Sequence, residues 1–102
     1  MLDIVVSDNC PHCEAQLEAV DKSFFHDEYR VIRVGSPEFE TYPEKARVNA
    51  VPFVIVRDGI TGAVKYAAKG VHDGTTLRQI ERRQPGQAFN LKSARELTSA
   101  IQ

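Results

Sequence analysis

The chain has 102 residues, 42% hydrophobic and 26% charged, with a formal net charge of −1 and a pI near 6.3. That length closes one hydrophobic core without disulfide staples, so one small domain is expected. The near-neutral balance leaves no electrostatic footprint for nucleic acid or an anionic membrane, and no apolar run is long enough to span a bilayer, so neither partner is assigned.

Leu2 to Val6 is mostly apolar and β-branched, as suits a strand buried on both faces. Met1-Leu2-Asp3 runs straight into it with no basic n-region and no apolar h-region, which reads as a cytoplasmic chain, though a mature form that has lost its signal would look similar. Behind this strand stands Cys10-Pro11-His12-Cys13, followed by a segment with helical periodicity. Two cysteines this close cannot staple a fold, and without a secretion signal they point to redox chemistry or metal binding. From Pro11 to Phe25 the apolar residues Cys13, Leu17, Val20 and Phe24 recur at spacings of four, three and four, opposite Glu14, Glu18, Asp21 and Lys22. That spacing predicts an amphipathic helix.

The start of such a helix has unpaired N–H groups and a dipole that favours negative charge. Cys10 at the cap, with Pro11 at the first helical position, would face those donors. Cysteines in such places drop from a pKa of about 8.5 to roughly 3.5–7.5, which makes the thiolate available as nucleophile and leaving group. Cys13, one turn further in, is expected to be more buried and to act second, resolving a mixed disulfide. His12 adds a donor, and when protonated a positive charge, beside the Cys10 sulfur, which favours the thiolate and pushes the couple toward oxidant. Asp8 and Glu14 act in the opposite direction. Both outcomes for the redox poise stand at this point.

Tyr29 to Val34 reads as a second strand, and Gly35-Ser36-Pro37 breaks it and caps a short helical piece through Tyr42. Pro43 interrupts any single helix from Glu38 to Arg47, so a kink or two short pieces are expected. Phe53 to Arg57 is a central strand, Asp58 to Gly62 a hairpin turn, and Ala63 to Ala68 the returning strand. Gly70 ends it, Asp73 to Thr75 offers N-cap residues, and Leu77 with Ile80 marks the inner face of a helix closing near Arg83. Gln84-Pro85-Gly86-Gln87 is a turn. After it, Ser93-Ala94-Arg95-Glu96 reads as a capping box opening a short C-terminal helix that carries Leu97 and Ile101. The expected fold class is α/β, in the order β-α-β-α-β-β-α plus that last helix. Residues 1–84 form the domain, and 85–102 an extension packed on it.

This order, with the cysteine pair at the first strand-to-helix junction, resembles the thioredoxin-fold superfamily, with a central four-stranded mixed sheet flanked by helices. Two motifs carry the resemblance across roughly residues 2 to 83: Cys10-Pro11-His12-Cys13, and Val51-Pro52-Phe53 at the start of the third strand. The superfamily's proline at this place is cis and faces the cysteines, and the backbone of the residue before it pairs with the extended substrate. By resemblance, Pro52 and Val51 take those roles, and the chain is a thiol–disulfide oxidoreductase acting on protein disulfides. The compact start is similar to the glutaredoxin layout, whereas thioredoxins usually carry an extra strand and helix in front. The thioredoxin pattern Trp-Cys-Gly-Pro-Cys is absent, since Asn9 precedes Cys10 and the chain has no tryptophan. His12 also departs from the Cys-Pro-Tyr-Cys common in glutaredoxins. Cys-Pro-His-Cys itself resembles the active site of periplasmic disulfide oxidases, which are larger and carry an inserted helical domain.

For glutathione the resemblance is partial. Val51-Pro52 matches, Gly70-Val71-His72-Asp73 matches in part and makes Asp73 a candidate contact, while Ser7-Asp8-Asn9 supplies no base. The resemblance implies a monomer that needs no cofactor, with glutathione as a co-substrate or a thioredoxin-reductase-type flavoprotein as its partner. The rival reading from another class is a metal-binding or structural module. In it, zinc is held by Cys10, Cys13 and one of His12, His26 or His72, or a dimer holds an iron–sulfur cluster through Cys10.

Overall fold

A computed structural model of the chain describes residues 1–82. Strand β1 (Leu2–Val6) leads into helix α1 (Pro11–Ser23), then β2 (Tyr29–Arg33), the short helix α2 (Pro37–Glu40), the hairpin strands β3 (Phe53–Arg57) and β4 (Val64–Lys69), and helix α3 (Gly74–Glu81). The order departs from the expected one by two single turns of 3-10 helix, His26–Glu28 before β2 and Lys45–Arg47 after Pro43. The first of these sat in an expected loop. The second follows from Pro43, which cannot continue a helix and leaves two short pieces. The turn expected at residues 84–87, the helix expected from Ser93 and the proposed boundary at 84 lie outside the described residues.

The four strands form one mixed sheet in the order β2-β1-β3-β4. β1 runs parallel to β2 and antiparallel to β3, and β3 pairs antiparallel with β4. Because β1 and β3 are central, both of their faces are covered, which is why they read as continuous apolar runs. Leu2, Ile4, Val6, Val54 and Val56 pack on one face against Cys13, Val20 and Phe24 of the α1 region and Leu77 and Ile80 of α3. Val5, Ile32, Phe53 and Ile55 pack on the other against Phe39 and Tyr42. The period-2 alternation of the strands sorts the two cores.

Helix α1 is shorter than expected, ending at Ser23, where the extended Phe24 caps it by donating its N–H to the Val20 carbonyl at 2.9 Å. Its buried face also takes in Gln16, which joins Cys13 and Val20 inside, while the expected Leu17 is half-buried and packs against the same core. Gly74 opens α3 where that helix meets α1. A Cβ there would come within 2.7 Å of the Ala19 carbonyl oxygen and clash with the Ser23 side chain, so only glycine permits this approach. At the far end of the pair, Arg78 holds Glu28 through two hydrogen bonds of 2.6 and 2.7 Å and lies 4.1 Å from the Phe24 ring centroid.

Candidate functional site

The site is built at the β1–α1 junction. Asn9 takes a left-handed backbone, φ 54°, which asparagine tolerates better than most residues. That turn delivers Cys10 in extended conformation to the N-cap of α1, with Pro11 opening the helix. Cys10 and Cys13 are joined as a disulfide with their Cα atoms 5.2 Å apart, within the ordinary range for the bond. The Cys13 N–H donates to the Cys10 sulfur at 3.2 Å. Cys13 is only 2% exposed, whereas Cys10 is partly open to solvent. The two sulfurs are therefore unequal in access.

Two clefts flank the pair. A smaller one, of about 140 Å³, is lined by Cys10, Cys13, Asp8, Glu14, Leu17 and Arg33 among others. Here the structure adds a cation that the sequence reading lacked: β1–β2 pairing sets Arg33 opposite Val6 and within 3.3 Å of the Asp8 carboxylate. Asp8 is thus paired instead of acting alone on the sulfur. The larger cleft, of about 410 Å³, is lined by His12, Ala50, Val51, Pro52, Lys69, Gly70 and Val71. His12, Val51 and Pro52, far apart in sequence, meet there. The Val51–Pro52 peptide bond is cis. Asp73 lies apart from both linings, exposed at the N-cap of α3, and its side chain makes no capping hydrogen bond.

The far wall of the larger cleft is tied to the cysteine helix by a set of buried hydrogen bonds. The Gly70 N–H donates to the Pro52 carbonyl at 2.9 Å. Gln16, on the same face of α1 as Cys13, accepts from the His72 N–H at 2.6 Å and donates to the His72 carbonyl at 2.9 Å. The His72 ring has no solvent exposure. Its Nδ1 faces the Gly70 carbonyl at 3.0 Å, an atom that only accepts, so Nδ1 carries the proton and the Tyr66 hydroxyl donates to Nε2 at 2.9 Å. Burial pushes the His72 pKa down, against a smaller upward pull from the Gly70 carbonyl. Sequence reasoning missed Gln16, whose signal was a polar residue at the helical spacing 13, 16, 20. It took His72 as a metal candidate and as part of the turn Gly70-Val71-His72-Asp73, not as a buried hydrogen-bonding residue.

A consequence for stability follows. The unfolded chain binds a proton at His72 near the ordinary value of about 6.5, while the folded chain resists it. The stabilisation is complete above that pH and is lost as pH falls through the lower folded value. Denaturant unfolding of the wild type between pH 7.5 and 5 should show declining stability, and His72→Asn should flatten that decline. An unchanged slope in the variant would remove His72 as its source.

Among the described residues no group of three or more His, Cys, Asp or Glu side chains is placed to hold a metal ion. The His72 ring is committed to Tyr66 and Gly70, and His26 lies past the other end of α1, 3.5 Å from Asp21. No described helix is long and apolar enough to cross a membrane. No family model, curated protein or solved structure matches this chain.

Proposed function

We propose that this protein is a cytoplasmic thiol–disulfide oxidoreductase of thioredoxin-like fold and glutaredoxin-like layout, with Cys10 as nucleophile and Cys13 as resolving thiol. One observation carries the reading: a dithiol pair at a helix N-terminus whose first sulfur is accessible and whose second is buried. In the reduced state the Cys10 thiolate is favoured by the helix N-terminus and by the Cys13 N–H. It attacks one sulfur of a substrate disulfide, and the other sulfur leaves as a thiolate that takes up a proton. Cys13 then gives up its proton and attacks the Cys10 sulfur, releasing the second substrate thiol. Two electrons have passed to the substrate, and the protein holds the Cys10–Cys13 disulfide. Glutathione or a flavoprotein reductase of the thioredoxin-reductase type restores the dithiol. The exchange needs no metal or organic cofactor, and a monomer suffices.

Val51 presents the substrate-binding backbone in this proposal. Its N–H and C=O make no hydrogen bond among the described residues, and it borders the cleft beside His12. An extended chain laid there would pair with it while its disulfide meets Cys10. Asp73, exposed at the α3 N-cap, is the candidate glutathione contact in this proposal.

The test is a redox titration of the full chain in graded glutathione or dithiothreitol buffers, counting free thiols. One two-electron transition involving both cysteines is expected, absent in Cys10→Ser. Each step of about 30 mV in the midpoint corresponds to roughly tenfold in the equilibrium constant, so the midpoint also reports which way His12, Asp8 and Glu14 balance. No transition at all would end the redox reading.

A further inference from the structure

We infer that the larger cleft selects disulfides carried on acidic peptide segments, with Lys69 as the specificity-determining residue; the inference rests on the oxidoreductase reading above. The cleft floor is apolar, made by Val51, Pro52 and Val71, and suits an extended chain. Its polar side chains are His12 and Lys69, and no carboxylate is among the described lining residues. Lys69 stands opposite Phe53 in the β3–β4 register, one residue along from Pro52, and lines the cleft together with Val51. It makes no ion pair or side-chain hydrogen bond among the described residues.

The contrast with the rest of the surface gives this weight. Among the described residues Lys22, Arg30, Arg33, Lys45, Arg47, Arg57 and Arg78 each hold a carboxylate of this chain and Lys65 donates to the Glu81 carbonyl, while Arg82, which shares with Lys69 the lack of a carboxylate partner there, lines neither cleft. The chain as a whole is slightly negative, so the basic character of the cleft is local and does not follow from net charge. A cation with no carboxylate partner among the described residues, at the rim of a peptide-sized apolar groove, attracts a carboxylate one or two residues from the reacting cysteine. It also disfavours a basic flank.

The experiment uses the full chain and disulfide-linked peptide dimers whose cysteine is flanked by Glu, Gln or Lys. Reduction rates are normalised to the exchange of each peptide with dithiothreitol. The wild type should prefer the Glu peptide over the Gln peptide by roughly two- to fivefold at low salt, a range set by a solvent-exposed charge pair. The preference should fall with added salt. In Lys69→Met the Glu-to-Gln ratio should drop to one, and Lys69→Arg should restore it. Equal rates for all three peptides in the wild type, or a ratio unchanged in Lys69→Met, overturns the inference while leaving the redox reading intact.

Binding of the same peptides with serine in place of cysteine, followed by NMR titration of the oxidised protein, separates the two claims. Lys69-dependent binding of the Glu peptide without any disulfide exchange upholds the cleft and overturns the enzyme. Glutathione disulfide is run alongside: a Lys69 dependence seen with it and not with the peptides overturns the peptide assignment.

Discussion

Cys13→Ser should accumulate a stable mixed disulfide with substrate through Cys10, and its turnover of protein disulfides should fall to background. The reason is the unequal placement of the two sulfurs. With Cys10 partly open and Cys13 only 2% exposed, an incoming disulfide reaches Cys10 first. Once that adduct forms, release depends on a second thiol already within reach, and the Cys13 N–H lies 3.2 Å from the Cys10 sulfur. Serine at position 13 keeps the helix turn and removes only the attacking atom. The adduct then persists until an external thiol arrives.

Cys10→Ser should neither trap substrate nor turn it over. Intact-mass analysis after incubation with a disulfide-bonded protein, with and without added reductant, reads both variants directly. Trapping through Cys13 in the Cys10→Ser chain would reverse the assigned roles, and trapping in neither would remove the nucleophile. Serine is close to cysteine in volume, so it leaves no large cavity at the buried position 13, and at the partly open position 10 it disturbs little packing. A comparison of their far-UV circular dichroism guards against simple misfolding.

What could be read from the sequence was what the chain writes locally. The Leu2–Val6 and Phe53–Arg57 runs, the periodicity behind Cys10-Pro11-His12-Cys13, the Pro43 interruption and the Asp58–Gly62 turn are each encoded within a few residues. Strand and helix follow from spacing alone there. The polar ties that shape the site are of another kind. Gln16 and His72 stand 56 positions apart, and Arg33 reaches Asp8 across 25. Arg30 and Arg57 reach Asp3 across 27 and 54. Which polar residue turns inward is decided by strand register and helix docking, and these emerge only when the elements pack. Lys69 falls just past the Ala63–Ala68 strand expected from the sequence, and only the β3–β4 register, which carries the strand to Lys69, sets it opposite Phe53 beside Pro52. A physical clue was nevertheless present at Asp3. An acidic residue inside a strand with two buried faces must be paired, or it cannot stay there.

Asp3→Ala should therefore be among the most destabilising single changes in the domain, lowering unfolding free energy by about 3 kcal/mol. The carboxylate has no exposure at all. Arg30 grips both of its oxygens, at 3.2 and 3.0 Å, Arg57 Nε donates at 3.0 Å and the Tyr42 hydroxyl at 2.7 Å. Removing Asp3 leaves Arg57, itself largely buried, with the more distant Glu44 as its remaining carboxylate, at 3.6 Å. Arg30 is nearly half exposed and can turn to water, which keeps the cost at the low end for a broken buried pair. Tyr42→Phe removes one bond to a charged group and should cost about 1.5 kcal/mol. Burial alone would push the Asp3 carboxyl up, but the hydrogen bonds from Arg30, Tyr42 and Arg57 outweigh it and hold it below the ordinary range. A carboxyl lowered on folding stabilises the native state fully above its unfolded value of about 3.9, and that stabilisation is lost as pH falls through the folded value. The wild type should thus lose stability steeply below pH 4, and the Asp3→Ala chain, already weaker at pH 7, should lose less over the same interval. Urea midpoints at pH 7 and across the acid range measure both effects. A loss below about 1 kcal/mol at pH 7 would place Asp3 with ordinary surface ion pairs, and an acid slope equal to that of the wild type would place the acid-labile group elsewhere.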